Sequence, residues 1–326
     1  MVTVAIFIAG IILIFIGINP QPLAEECPPF LFQNYVPSIL EDTWRKQSVR
    51  CGRHWEAFCE CSLASSNEYT EWLRFSENQN THSRSVETGD RQSPILSKFI
   101  HQRVCRGRKD VLVSVIEPLA DGLRYPGSLC TSLKNLVNKS YMILAANHTN
   151  MAYRNMIYMD LGASLYKEGF GGASQQWFID TYARNDLRPS RMFLWEATPH
   201  PAADVFKDVP DDLLFAYQWM NIPASSNGSS PANPLNILKR VASDEDFVAL
   251  KIDIDNGPVE LAFIAQIQSD QDLGRTIDEF FFEFHVNFEP MHPHWKNTIS
   301  NDMYLHDAYN LFAGLRARGI RAHSWV

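Results

Sequence analysis

The densest group of charged residues that could do chemistry is the segment Lys251-Ile252-Asp253-Ile254-Asp255. The apolar run before it predicts a strand over Asp246–Ile254, and side chains alternate between the two faces of a strand. Lys251, Asp253 and Asp255 therefore share one face. Charges on a face of a buried sheet are costly unless they pair with each other or bind a polar ligand. The flanking isoleucines favour a ligand site over an exposed ion pair.

A second polar pair, Glu283 and His285, lies near the end of a predicted strand over Glu279–Val286. A histidine near carboxylates can act as a base or as a metal ligand. His292 and His294 follow in a proline-rich loop and could converge with His285 and the two aspartates. Such a mixed nitrogen and oxygen set would favour Mg²⁺ or Mn²⁺. Because a His-x-His pair in a loop is more often only polar surface, we predict no metal ligand.

Two further strand ends carry residues suited to a nucleoside. The sequence Asp160-Leu161-Gly162-Ala163 follows a predicted strand over Met156–Met159, and its small residues let the backbone turn tightly and approach a ligand. Glu196 ends a predicted strand over Arg191–Glu196, and a carboxylate at this position can accept hydrogen bonds from both ribose hydroxyls. An ordinary turn and a solvated surface glutamate are the alternatives for the two positions.

The elements that must position these residues alternate between short β-rich runs and longer helical runs from Asn155 onward. Besides the strands already given, we predict strands over Leu213–Met220 and Ile320–Val326. The predicted helices cover Ala173–Arg184, Pro234–Ala242, Glu260–Gln268 and Asp307–Arg318. This alternation predicts an α/β fold, a doubly wound, mostly parallel sheet of Rossmann-like type. Ligands of such sheets bind beyond the carboxyl ends of the strands.

The region before this alternation differs in character. We predict a stem with a small cysteine-bearing module over residues 20–108 and the sheet domain over residues 109–326. The polar run Ser76–Ser93 predicts a loop, the apolar run Val111–Leu119 is β-rich, and Ser132–Leu144 predicts a helix.

The first 18 residues contain no charged side chain, and a run of this length is at the short end of what spans a hydrocarbon core of about 30 Å. No Lys or Arg precedes Arg45, so the positive region of a signal peptide is missing. We predict an uncleaved membrane anchor over residues 1–19, with a cleaved signal peptide as the alternative.

All six cysteines lie within the first 130 residues, and N-x-S/T sequons follow at Asn138, Asn147 and Asn227. In a secretory lumen this cluster predicts disulfides, whose pairing stays open. We therefore predict a single-pass glycoprotein of the Golgi or endoplasmic reticulum lumen. The net charge of −8 and the isoelectric point near 5.7 exclude the basic footprint of a nucleic-acid-binding protein.

Together, the strand ends resemble those of class I S-adenosylmethionine-dependent methyltransferases, and more narrowly of the FkbM-like family. The resemblance covers about residues 150–326. The matching segments are Asp160-Leu-Gly162-Ala163, Glu196-Ala-Thr-Pro199, Lys251-Ile-Asp253-Ile-Asp255 with Gly257 and Glu260, and Glu283-Phe-His285.

The resemblance implies S-adenosylmethionine as the cofactor. It implies that Asp160, Gly162 and Ala163 hold the amino-acid and sulfonium part of the cofactor, and that Glu196 holds its ribose. Asp253 would lie at the methyl-transfer end. The acceptor would be a hydroxyl group of a small molecule or a glycan.

Methyl transfer to a hydroxyl needs an aligned acceptor and a base that removes its proton. We predict Asp253 and His285 as the catalytic residues, since either can take that proton. Two alternatives stay open. The fold could serve as a binding or scaffolding module without activity, or the segment Asp253-Ile-Asp255 could hold a nucleotide-sugar diphosphate through Mn²⁺ in a metal-dependent glycosyltransferase.

Overall fold

The structure is a computed structural model that describes residues 27–62, 67–81, 93–131, 133–145, 153–169 and 172–326. The predicted anchor over residues 1–19 and the sequon at Asn147 lie outside these ranges. Within them, no helix is both long and apolar enough to cross a membrane.

The described elements fall into two groups along the chain. The N-terminal group contains β1 (Leu31–Val36), α1 (Ile39–Cys51), α2 (Trp55–Cys61), α3 (Asn67–Thr81), β2 (Ser97–Cys105) and β3 (Arg108–Ile116). The second group contains β4 (Asn155–Leu161), α4 (Ser174–Arg184), β5 (Arg191–Trp195), α5 (Ala202–Phe206), β6 (Tyr217–Met220), α6 (Pro234–Val241), β7 (Asp246–Ile252), α7 (Gly257–Ser269), α8 (Gln271–Thr276), β8 (Glu279–Phe282), α9 (His292–Trp295), α10 (Leu305–Arg316) and β9 (Arg321–Ser324).

The second group forms a six-stranded sheet in the order β6-β5-β4-β7-β8-β9. Each pair of neighbouring strands is parallel. Every residue of β7 and β8 is buried, so both faces of the sheet are covered, as the continuous apolar runs of these strands require. The α/β class and the mostly parallel sheet are therefore confirmed.

Local capping signals explain where two of the helices begin. The side chain of Asn233 accepts a hydrogen bond from the backbone N–H of Leu235 at the start of α6, and Asn256 precedes α7 in the same way. A proline stands in the first turn of each helix, where no backbone hydrogen bond is lost. Helix α7 consequently begins before the predicted residue, Glu260.

Three predicted segments differ from the structure. Of the predicted helix over residues 132–144, the described residues 133–144 hold only a short 3₁₀ turn, Leu133–Asn135. The side chain of Asn138 accepts a hydrogen bond from the backbone N–H of Ser140 and ends the run. Helix α3 continues through Ser76–Thr81, where we predicted a loop, because Phe75 and Ser76 are still buried against the core. The predicted strand Leu213–Met220 begins only at residue 217, after a turn.

The N-terminal group adds an antiparallel sheet in the order β1-β2-β3. The turn of the β2–β3 hairpin, Arg106-Gly107, has φ values of 50° and 74°, as a tight two-residue turn requires. The predicted boundary between the cysteine-bearing module and the sheet domain, between residues 108 and 109, falls beside this turn. One cluster of buried apolar side chains includes Trp44 and Trp72 as well as Phe281 and Trp325, so the two groups share a core.

All six cysteines are paired in the structure, which confirms the predicted disulfides. The pairs are Cys27–Cys105, Cys51–Cys61 and Cys59–Cys130. The first and third close long loops of the N-terminal part, and closing a long loop restricts the unfolded chain most. Of the described sequons, Asn227 is exposed and Asn138 is half-buried.

A buried network of charged residues joins the N-terminal part to the parallel sheet. Arg316 of α10 is fully buried and lies 3.0 Å from Glu117 and 3.4 Å from Glu41. His323 of β9 lies between two carboxylates, with Nδ1 2.8 Å from Glu117 and Nε2 2.9 Å from Glu279. Sequence reasoning did not identify this network.

The network makes stability depend on the charge of His323. Burial lowers the pKa of His323, but the carboxylates of Glu117 and Glu279 outweigh burial and raise it. Only the imidazolium can donate at both ring nitrogens. A histidine whose folded-state pKa lies above the unfolded value of about 6.5 contributes stability that is complete below that value and is lost as the pH rises through the folded-state pKa.

We therefore expect His323→Gln to lower the free energy of unfolding more at about pH 5.5 than at about pH 9. Chemical denaturation at the two pH values measures the difference. The exposed His54 is the matched control, and His54→Gln should give a small change at both. An equal loss at both pH values in His323→Gln would show that His323 is neutral in the folded protein.

Candidate functional site

A cavity of about 1270 Å³ opens at the carboxyl ends of the parallel strands. Four strand ends contribute to its wall: Gly162 after β4, Glu196 after β5, Asp253 after β7, and Glu283 and His285 after β8. The strand order reverses between β4 and β7, and this is where doubly wound sheets bind ligands. Of the predicted site residues, the structure brings Gly162, Glu196, Asp253 and His285 to the wall of this cavity.

The base of the cavity is organised by Lys251, which is only 1% exposed. Its Nζ lies 3.0 Å from Asp160 Oδ1 and 3.1 Å from Asp253 Oδ2. Burial disfavours the charged lysine, but the two carboxylates outweigh it and raise the pKa of Lys251. Burial raises the pKa of Asp253 to about 6, against the lowering effect of the ammonium group. Lys251 therefore stays charged and fixes the position of Asp253.

Two residues that we predicted to hold the cofactor do not line the cavity. Asp160 is fully buried and accepts hydrogen bonds from Lys251 and from the hydroxyl of Tyr158 at 2.7 Å. In the sheet Asp160 lies directly opposite Lys251 of the neighbouring strand, so its side chain meets the lysine instead of a ligand. Ala163 is also fully buried, and its N–H donates to the carbonyl of Trp195 at 2.8 Å.

Gly162 lines the cavity, but close packing within the chain explains why the residue is glycine. Its φ is +85°, and a Cβ atom there would lie 1.7 Å from the carbonyl oxygen of Asp253. No side chain fits at that distance, and few adopt that φ. We predicted that small residues here make room for a ligand. In the structure, Gly162 is needed instead because the end of β4 packs directly against the backbone that follows β7.

Glu196 is half-buried and faces the cavity at the end of β5. One oxygen of its carboxylate accepts a hydrogen bond from the N–H of Thr198. The backbone of Glu196 is held in place at the end of β5. Its N–H donates to the carbonyl of Met220, and its carbonyl accepts a hydrogen bond from the side chain of Asn221. The carboxylate is therefore positioned by the chain and still open to a donor in the cavity.

Glu283 and His285 form a second polar group on the wall. Glu283 accepts hydrogen bonds from Arg124 at 2.6 Å and from Trp295 Nε1 at 2.8 Å. Burial opposes the ionised form of Glu283, but His285, Arg124 and Trp295 outweigh burial and lower its pKa. Burial alone would lower the pKa of His285. The neighbouring Glu283 carboxylate outweighs burial, so the pKa of His285 is raised. Trp295 also stacks on the His285 ring at 5.0 Å.

Sequence reasoning missed Arg124 as a functional residue. It lies 159 residues before Glu283 along the chain, in a segment without regular secondary structure, and no local pattern marks it. His292 and His294, which we considered beside His285, separate in the structure. His294 lines the cavity, whereas His292 is exposed and contacts Asn287 at 3.0 Å.

The cavity wall carries a carboxylate at the ends of β5, β7 and β8, namely Glu196, Asp253 and Glu283. Such a site can bind the hydroxyl groups of a sugar ring and remove a proton from a bound molecule. Comparisons of the chain with protein-family models, with curated proteins and with solved structures found no match.

Proposed function

We propose that the protein is an S-adenosylmethionine-dependent methyltransferase that methylates a hydroxyl group of a small molecule or a glycan. The observation that carries the proposal is the cavity at the reversal of strand order, where Gly162, Glu196 and Asp253 meet. Its volume exceeds the roughly 300–1,000 Å³ of most single-ligand pockets, so a nucleoside and an acceptor can bind together.

The residues of the cavity fit a nucleoside cofactor. Glu196 presents a carboxylate that already binds one backbone N–H and can accept further hydrogen bonds from ribose hydroxyls. Gly162, Ser164 and Ser174 line the neighbouring wall and are suited to the amino-acid part. When bound, the cofactor supplies an electrophilic methyl group.

The chain's own residues orient the acceptor and handle its proton. Asp253 is fixed by Lys251, and His285 is fixed by stacking on Trp295. Both face the cavity beyond β7 and β8. Either residue can take the hydroxyl proton, and the hydrophobic side chains Trp295 and Trp325 exclude water from this part of the wall.

We also propose that the protein works in the lumen of the Golgi or endoplasmic reticulum, held there by the apolar N-terminal segment. The three disulfides support an oxidising compartment, because such bonds persist mainly in secreted and lumenal proteins. The exposed sequon at Asn227 agrees with this placement.

Glu196→Ala tests the assignment of the cofactor site. We expect the variant to bind S-adenosylhomocysteine more weakly by about 1–3 kcal/mol, the cost of leaving ribose hydroxyls without partners. Isothermal titration calorimetry measures this. Glu245→Ala, at an exposed glutamate away from the cavity, should leave the affinity unchanged. A folded Glu196→Ala variant with normal affinity would remove Glu196 from the site.

A metal-dependent glycosyltransferase is the second candidate function. It is favoured by Asp253 and Asp255, which both line the cavity as the pair that would hold a diphosphate through Mn²⁺. The same calorimetric titration with UDP and Mn²⁺ separates the two functions. Saturable binding of UDP with Mn²⁺, and none of S-adenosylhomocysteine, would replace the methyltransferase by the glycosyltransferase.

A further inference from the structure

We propose that Asp253, Asp255 and His285 form a binding site for a divalent cation, Mn²⁺ or Mg²⁺, on the wall of the cavity. Asp253 and Asp255 are also the metal ligands of the second candidate function, and the site proposed here adds His285 to them. The methyltransferase proposal does not require this site. The site also differs from our sequence-based prediction, which contained no metal ligand.

The three side chains converge from two neighbouring strand ends. One ligand atom from each, a carboxylate oxygen of Asp253 and of Asp255 and a ring nitrogen of His285, lies within 4.8 Å of the other two. Ligand atoms bound to a common small dication at about 2.1 Å lie at most about 4.2 Å apart. Small side-chain rotations therefore suffice to bring the three onto one ion.

His285 is the observation that points to a ligand. Its side chain is 98% buried, and Nδ1 makes no hydrogen bond within the described part of the chain. Nδ1 lies 3.9 Å from Asp255 Oδ1, on the side of the cluster. A buried polar atom without a partner is costly, and a cation bound at Nδ1 would supply the missing interaction.

The nitrogen on the opposite side of the imidazole ring, Nε2, faces a carboxylate, as the second ring nitrogen of a metal-binding histidine usually does. Nε2 lies 3.3 Å from Glu283 Oε2, and Glu283 is itself held by Arg124 and Trp295. A carboxylate behind the ring orients it and directs the other nitrogen toward the ion. Glu283 is thus a positioning residue for His285.

The charge around the cluster also suits a dication. Among the described residues, carboxyl groups outnumber cationic side chains near Lys251 and His285. The carboxyl groups belong to Asp160, Asp253, Asp255, Glu260 and Glu283, and the cations to Arg124, Lys139 and Lys251. Oε2 of Glu260 is buried without a hydrogen bond. A bound dication would offset the excess negative charge.

The ion class follows from the ligand set. Two carboxylates and one imidazole, without a cysteine, match Mn²⁺ or Mg²⁺. Three protein ligands leave coordination positions open toward the cavity for an oxygen atom of a bound molecule, a hydroxyl or a phosphate oxygen. An acceptor hydroxyl bound in this way would have a lowered pKa.

The test is a titration of the full chain with MnCl₂ after removal of metal with EDTA, followed by the electron paramagnetic resonance signal of free Mn²⁺. We expect one Mn²⁺ bound per chain at saturation. Asp255→Asn and His285→Gln should each weaken binding by at least about 10-fold. Asp255 is 73% exposed, so its variant tests the site even if His285→Gln does not fold.

Matched controls use the same substitutions at exposed positions of the same part of the chain. Asp272→Asn and His292→Gln should bind Mn²⁺ like the wild type. The proposal is overturned if the wild type shows no saturable binding, or if Asp255→Asn and a folded His285→Gln bind normally. His285 would then be an imidazolium between Glu283 and Asp255. A metal-free titration with S-adenosylhomocysteine tests the methyltransferase separately.

Discussion

Asp253→Asn is expected to slow methyl transfer by about 10²–10⁴-fold while leaving the melting temperature nearly unchanged. The substitution keeps the size of the side chain but removes its charge and basicity, which Asp253 needs whether it acts directly or through a bound cation. The rate is measured as S-adenosylhomocysteine formation with an acceptor that the wild type methylates. Asp272→Asn, at an exposed aspartate on α8, is the matched control and should keep the wild-type rate.

The small effect on stability has a structural reason. Lys251 keeps its 3.0 Å ion pair with Asp160 when Asp253 loses its charge. Burial raises the pKa of Asp253 to about 6, so its carboxylate is poorly stabilised and a neutral amide is tolerated. A variant that melts well below the wild type but turns over normally per folded molecule would contradict the assignment. Asp253 would then be the structural partner of Lys251, and the catalytic role would pass to His285.

Arg316→Met is expected to cost about 3–5 kcal/mol of the free energy of unfolding, because it leaves buried carboxylates without their cation. Arg316 is fully buried and contacts Glu41, Glu117 and Tyr35, and it also donates to the carbonyls of Glu117 and Ala322. Its loss therefore affects both the N-terminal part and the parallel sheet. Chemical denaturation with the disulfides intact measures the change.

Arg318→Met is the matched control for this prediction. Arg318 lies two residues further along the chain and is exposed, so its substitution should change the free energy of unfolding by no more than about 0.5 kcal/mol. If Arg316→Met were as stable as Arg318→Met, the buried network would contribute nothing to the joining of the two parts. We expect the two variants to differ clearly, since only Arg316 is shielded from water.

The strand and helix pattern was predictable because it is a local property. The β-rich runs that end at Glu196 and around Asp253 form strands within a few residues of the predicted bounds. Predictions were wrong where one local signal opposed another. We predicted a helix over residues 132–144, but this segment contains Asn138, whose side chain competes with helical hydrogen bonds. We predicted a loop from Ser76, but the buried face of α3 continues into this polar run.

Part of the candidate site could also be predicted from the local sequence. Side-chain alternation correctly placed Lys251 and Asp253 on one face, where they form an ion pair 3.1 Å long. The same rule cannot tell which neighbouring strand faces Lys251. Because β4 lies beside β7, Asp160 pairs with the lysine and is withdrawn from the cavity.

The sequence by itself determined the α/β class, the polar strand ends at Glu196, Asp253 and His285, and the cysteine-rich N-terminal part. These depend on periodicity and on residue types within a few positions of one another. Only the tertiary structure decided the strand order, the pairing of the cysteines, the burial of Asp160 and the approach of Arg124 to Glu283. Such contacts join residues far apart in the chain, and their geometry is set by the packing of the whole core.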